Sequence, residues 1–198
     1  MARPATYHHG DLRSALLTAA LAAVESGGAA TLSLRGVARA AGVSPMAPYH
    51  HFKDRSTLVA AVAEAGFRRL YAMKLEALAA SDTDPRAALI AGSTAYVAFI
   101  LEHPELYRLM KSAELADRAT HPGLAEAAAL PSAKLAELLA ALAASGRLST
   151  TPQAAAAMLW SYVHGLGILV IDGYVPRDRA LALAAEGASA LLKGLEAP

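Results

Sequence analysis

Alanine and leucine recur at helical spacing along almost all of this 198-residue chain, and the regular interruptions are glycines and prolines. β-Branched and aromatic residues are sparse, and no stretch sustains an alternation of apolar and polar residues. A sheet with one wet face needs that alternation, whereas alanine and leucine are strong helix formers, so the chain is expected to be all-α. The length suits one packed domain, or a small domain joined to a larger one.

The punctuation divides the chain into helices. His9-Gly10-Asp11 open the first, whose stripe is Leu12, Leu16, Ala19, Ala20, Ala23 and Val24, and Ser26-Gly27-Gly28 end it. A long helix runs from Arg55 to about Ala80 with Leu58, Val62 and Ala65 inward. Asp84 and Pro85 read as N-cap and first residue of a helix to His103, where Pro104 ends or kinks it and Glu105 to Ser112 continue. His121-Pro122-Gly123 reads as a turn, and Pro131 as the start of a helix ending at Ser145-Gly146. Thr151-Pro152 starts another, reaching about Asp172, and a last amphipathic helix ends near Leu195. The expected organisation is a head over residues 1–54, a connecting helix over 55–80 and a larger regulatory and dimerisation region over 81–198.

Within the head, Leu34, Val37, Ala38 and Ala41 fall at i, i+3, i+4 and i+7, one face of a short helix. Gly42 supplies a tight turn and Val43 an apolar plug. Ser44 and Pro45 then read as N-cap and first residue of a second helix reaching His51, about 10 Å long. Two short helices meeting at one glycine read as a helix-turn-helix. Charge agrees: residues 1–75 carry nine Lys or Arg against four Asp or Glu, while residues 76–198 carry nine against thirteen. A basic end on a chain of net charge +1 is the asymmetry expected when that end faces a polyanion.

The expected DNA contacts follow from residue type. The amides opening the second helix, at Ser44 and Pro45 onward, sit at its positive end, where a phosphate binds. Tyr49, His50, Lys53 and Arg55 add donors and cations for the sugar-phosphate chain. Met46, Ala47 and Pro48 can touch thymine methyls but cannot make bidentate bonds, so Arg35 on the preceding helix is the candidate guanine reader.

Other chemistries find little support. The chain has no cysteine, which excludes disulfides and thiolate catalysis. It has no nucleophile elbow, P-loop, dinucleotide fingerprint or evident pair of catalytic carboxylates, so no enzymatic activity and no cofactor are expected. His8-His9 and His50-His51 are sequence neighbours that a helix points about 100° apart, so no metal is expected. Ala154–Ile171 is apolar on nearly all sides, but Ser161, His164 and two glycines interrupt it and no basic flank follows; a membrane span is not expected. The first residues, MARPATYHHGD, lack a basic segment followed by an apolar run, which points to the cytoplasm. His103 and His164 read either as hydrogen-bonded core histidines or as polar anchors of a ligand pocket with Tyr96, Phe99, Tyr107, Met110 and Trp160.

Across residues 10–60, the run TLSLRGVARAAGVSPMAPYHHFKDRSTL resembles the head of the TetR/AcrR family of bacterial transcription regulators. The resemblance implies that Arg35 and the Met46-Ala47 pair meet bases, that Tyr49, Lys53 and Arg55 meet phosphates, and that His51 supports the head's packing. Pro48 departs from the family's usual aliphatic residue. YHHGDLR near the start and LWSYVHGLG near the end resemble the subgroup whose C-terminal domain is named for a Trp-His-Gly motif, here Trp160, His164 and Gly165. The family fold implies about nine helices, a homodimer through the last two, and a double-stranded palindromic operator with half-sites about 34 Å apart. The function this implies is a one-component regulator, a repressor released by a small apolar or amphipathic effector. Control by a protein partner, or activation in place of repression, stays open.

Overall fold

The computed structural model describes residues 9–80, 84–115, 117 and 120–196, with side chains from Leu12 onward. Tyr7 and His8 of the amino-terminal motif, and residues 81–83 of the expected boundary, lie outside these. The described residues form eight α-helices with short 3-10 turns and no strand: α1 (His9–Gly27), α2 (Leu34–Ala40), α3 (Arg55–Ala79), α4 (Pro85–Glu102), α5 (Pro104–Met110), α6 (Pro122–Ala144), α7 (Pro152–Ile171) and α8 (Ala180–Leu195). The chain divides into two compact units, one of residues 1–66 with 105–125, the other of residues 67–104 with 126–198. Helices α3 and α6 contribute residues to both, as does α5 through its first residue, Pro104.

The first unit is built on the stripes read from the sequence. Leu16, Ala20 and Val24 of α1 are buried, as are Leu34, Val37 and Ala38 of α2 and Leu58 and Val62 of α3. Leu106, Tyr107, Leu109 and Met110 of α5 are buried too. A Cβ at Gly66 of α3 would collide with the Met110 sulfur, so α5 lies close against α3 there.

In the second unit α4 packs on both α7 and α8, and these two pack on each other. Leu89, Leu139, Leu142, Ala155, Leu159, Ala188 and Leu192 form one buried cluster drawn from α4, α6, α7 and α8. Helix starts follow the cap-and-proline reading. Asp84 accepts from the Ala87 amide at 3.3 Å ahead of Pro85, and Thr151 accepts from the Ala154 amide at 3.2 Å ahead of Pro152.

One boundary differs from expectation. His121-Pro122-Gly123 is not a separate turn and Pro131 does not start a helix, because α6 runs unbroken from Pro122 to Ala144 with Pro131 inside it. Pro122 takes the first helical position, and the Ala125 amide bonds to the His121 carbonyl at 3.0 Å. An internal proline costs about 3 kcal/mol, but alanine and leucine flank Pro131 on both sides and favour helix through it. From sequence, a proline at a first helical turn and one inside a long apolar helix look alike.

Gly167 lets α7 approach α4, since a Cβ there would strike the Ile100 side chain. Gly167→Val is therefore expected to destabilise the protein by about 1–3 kcal/mol through overpacking. Gly194→Ala, at an exposed α8 position with nothing within 4 Å, is expected to be neutral or to stabilise by at most about 1 kcal/mol. Thermal unfolding of the two variants checks this, and a Gly167→Val protein that melts with the parent contradicts it.

Candidate DNA-binding surface and regulatory unit

Helix α2 is held at both ends by local chemistry. The Ser33 hydroxyl accepts from the Gly36 amide at 3.1 Å, capping the start. At the end Gly42 adopts φ +69°, the left-handed region, so that the Val43 amide reaches the Ala38 carbonyl at 3.0 Å and the Gly42 amide the Arg39 carbonyl at 3.2 Å. Nothing crowds Gly42, so the requirement for glycine is conformational. Burying Leu34, Val37 and Ala38 leaves Arg35 exposed on the opposite face. Arg39, one turn further on, is exposed beside it; the i, i+4 spacing from Arg35 is the signal that sequence reading passed over.

The segment after Gly42 is not the α-helix expected from Pro45 to His51. It is a turn followed by a 3-10 helix over Ala47–His50, and Met46, not Ser44, stands at its N-cap without a side-chain bond. The cause lies in the prolines. Pro48 has no N–H to give the Ser44 carbonyl, which accepts from the Ala47 amide at 3.0 Å instead. The Pro48 carbonyl then closes the segment, accepting from the His51 and Phe52 amides at 2.9 and 2.8 Å.

Pro48 and Phe52 are buried, the Arg13 guanidinium lies 5.6 Å from the Phe52 ring centroid, and His51 is half-buried. Ser44, Pro45, His50 and Lys53 are exposed, Ala47 is half-buried, Met46 is 65% exposed and Tyr49 42%. The turn thus keeps one apolar side inward and presents a mixed basic, aromatic and apolar side outward.

Arg55 is engaged within the chain. Its Nε donates to the Leu32 carbonyl at 3.1 Å, its Nη2 to the Ala29 carbonyl at 2.8 Å, and its Nη1 pairs with the Glu114 carboxylate. The guanidinium fork therefore ties the start of α3 to the chain before α2 and to the segment after α5. Next to it, Asp54 accepts from the amide and hydroxyl of Thr57 at 2.8 and 2.9 Å, and those bonds hold its carboxyl below the usual range.

The residues read as pocket candidates divide between the units. Tyr96, Phe99 and His103 are buried on one face of α4 and its C-cap, and the Phe99 and His103 rings meet at 5.2 Å. On α7 the Trp160 indole N–H donates to the Tyr96 hydroxyl at 3.1 Å and its ring stacks on His164 at 5.4 Å. Tyr107 and Met110 lie in the first unit, buried on α5.

A residue absent from the sequence reading stands out in the second unit. Lys74 of α3 is only 8% exposed, and its ammonium donates to the Pro131 carbonyl at 3.3 Å. Burial pushes it down from 10.5 to about 8, because desolvation disfavours the charged form. The unfolded chain therefore binds more protons between those two values, so the charged native state is penalised at neutral pH and relieved as pH rises through about 8 toward 10.5. Lys74→Met is expected to stabilise the protein at pH 7 on the order of 3 kcal/mol and to lose that advantage near pH 10.5. Urea unfolding at both pH values tests this; a variant weaker than the parent at pH 7 contradicts it.

Residues 16–62 match the family model for bacterial regulatory proteins of the tetR family, and residues 89–191, more than half the chain, match that for the tetracyclin repressor-like C-terminal domain. The chain belongs to the TetR family. The C-terminal match contains Trp160, His164 and Gly165, consistent with the Trp-His-Gly subgroup. TetR proteins are transcription regulators and not enzymes, and this TetR protein is a DNA-binding regulator. It is similar to a protein of unknown function from Rhodococcus sp. RHA1, at 32% identity and TM-score 0.87, over 98% of this chain and 100% of that one. A putative TetR-family transcriptional regulator from Rhodococcus sp. shares the fold at 22% identity and TM-score 0.75, over 92% and 99% of the two chains. The TetR family transcriptional regulator PfmR from Thermus thermophilus does so at 21% identity and TM-score 0.68, over 98% and 100%. No curated protein matches the sequence significantly.

Proposed function

We propose that this TetR protein is a dimeric cytoplasmic repressor that leaves a palindromic operator when a small amphipathic effector enters its second unit. The observation that carries the DNA-reading part is the exposed set Arg35, Ser44, Pro45, Met46, Tyr49, His50 and Lys53, on α2 and along residues 44–53 after Gly42. In this reading Arg35 takes a guanine edge, Met46 and Ala47 meet thymine methyls, and Tyr49, His50 and Lys53 meet phosphates. Arg55 is assigned to holding the head together, because a phosphate would have to compete with the carbonyls and carboxylate that it already engages.

Dimerisation draws support from α7 and α8. Met158, Ser161, Gly165 and Leu169 follow one another on a single face of α7, and Met158 and Leu169 are exposed, as is Leu181 of α8. Helices α6 and α7 are long and apolar enough to cross a membrane, but Leu159, Val163, Leu166 and Val170 of α7 are already buried in its own unit. A second copy covering the remaining face accounts for that composition without lipid.

The effector acts by binding the DNA-incompetent state more tightly than the competent one, and DNA must weaken effector binding by the same factor. Helix α3 has its first residues in the DNA-reading unit and its last in the other, so it is the natural carrier of that coupling. Tyr96, Phe99, His103, Trp160 and His164 are the proposed pocket residues. Tyr107 and Met110, in the first unit, would answer to the effector indirectly.

Arg35→Ala is expected to weaken binding to an operator selected from genomic DNA by about tenfold to a hundredfold, and binding to random duplex at the same salt by much less. Fluorescence anisotropy on both duplexes reads this out. An equal loss on both would make Arg35 a phosphate ligand and remove it from base reading.

A further inference from the structure

The first unit holds a cavity that the DNA-reading surface does not use. It measures about 210 Å³ and lies between α1, the end of the turn after Gly42, α3 and the start of α6. All of its lining residues belong to the first unit. Phe52, Ala60, Ala61 and Leu124 give it an apolar wall, and Arg13, His51 and His121 give it nitrogen donors. Drug-sized ligands usually need about 300–1,000 Å³, so an occupant of this cavity is small.

The other polar groups of the lining are already engaged. The Thr57 hydroxyl donates to Asp54 at 2.9 Å and the Thr120 hydroxyl to the Asp117 carbonyl at 3.0 Å, so neither has a hydrogen left for a ligand. Glu64, the one carboxylate of the lining, has its own interactions within the chain and lies against the first turn of α6, where a Cβ at Gly123 would come within 2.6 Å of its Oε2. Two of the donors differ. The His51 Nε2 is out of water and has no hydrogen-bond partner among the described residues. The exposed Arg13 guanidinium rests 5.6 Å from the Phe52 ring centroid and forms no ion pair among those residues. His121 has a carboxylate, Asp54, as an electrostatic neighbour and is the lesser donor. An unpaired guanidinium and an unpartnered ring nitrogen lining one small space call for an acceptor that carries negative charge. Among the described residues no three His, Asp or Glu side chains converge as a metal site requires, so the histidines and Glu64 do not make a cation site.

We propose that this cavity binds a small oxyanion, a carboxylate or phosphate, held by the fork of Arg13 and by the His51 Nε2, with a short apolar tail lying against Phe52 and Ala61. His51 and Phe52 end the segment that presents Tyr49 and His50, so the occupant ties that segment to α1. The site is separate from the effector pocket assigned to the second unit and does not depend on it.

The probes are inorganic phosphate, sulfate, acetate and butyrate, each compared with chloride at equal ionic strength. Thermal shift and calorimetry are run on the full chain, on Arg13→Gln, on Arg13→Lys and on Arg39→Gln, whose arginine is exposed in the same unit but does not line the cavity. At least one probe is expected to stabilise the parent beyond chloride and to bind saturably, about tenfold or more weakly to Arg13→Gln, with intermediate affinity for Arg13→Lys and unchanged affinity for Arg39→Gln. His51→Gln gives a second reading if Arg13→Gln lowers the melting temperature in chloride alone, and the same direction of loss is expected. Tighter binding of phosphate and sulfate, or of acetate and butyrate, shows which oxyanion the site takes, and either supports the assignment. The assignment is overturned if no probe exceeds chloride, or if Arg13→Gln binds as the parent does. It is overturned equally if Arg39→Gln loses as much as Arg13→Gln, since the anions would then answer only to the general charge of the basic unit.

Discussion

The fork of Arg55 is the contact on which the arrangement of the DNA-reading unit depends. Ala29 and Leu32 lie in the short connection between α1 and α2, where the Ala29 carbonyl accepts from the Leu32 amide at 3.2 Å. Arg55, the first residue of α3, donates to both carbonyls, and with its remaining nitrogen it holds Glu114. The entry into α2, the start of α3 and the segment after α5 are thereby referred to one planar, permanently charged group. Lysine at that position would present a single point charge and could not reproduce the set. The exposed face of α2 and the 3-10 segment inherit their placement from this clamp.

One cation in each unit is held by carbonyls from elsewhere in the chain, Arg55 half-exposed in the first and Lys74 buried in the second. In the first, the guanidinium donates inside the chain, while Arg35, His50 and Lys53 are exposed. In the second, Lys74 is buried with one long bond, and Tyr96, Trp160 and His164 touch one another across α4 and α7.

Much of this was legible in the sequence, for reasons that differ by element. The stripes of α1, α2 and α3 could be read because burial there follows helical spacing, and Gly42 because a Schellman turn needs a positive φ. The caps of α4 and α7 were readable as Asp-Pro and Thr-Pro. The 3-10 segment was not, because Ser-Pro opens α-helices equally well, and what counts against one is the missing Pro48 donor, in whose place the Ala47 amide bonds to the Ser44 carbonyl. Pro131 misled in the reverse direction, since a proline usually starts a helix and the unbroken helix on its N-terminal side comes from a register beginning at Pro122. Arg55 and Lys74 resisted reading because their partners are far away in sequence: Leu32 and Ala29 for one, Gly92 and Pro131 for the other. Nothing local distinguishes a lysine on a wet face from one that distant elements cover.

The central claim is that two copies of this chain read DNA together through α2 and the turn after Gly42. Hydroxyl-radical footprinting on an operator selected from genomic fragments tests it most directly. The account predicts two protected half-sites related by a two-fold axis, with centres about 34 Å apart on one face of the duplex. A single protected site, or protection without any preference among the fragments, would contradict it.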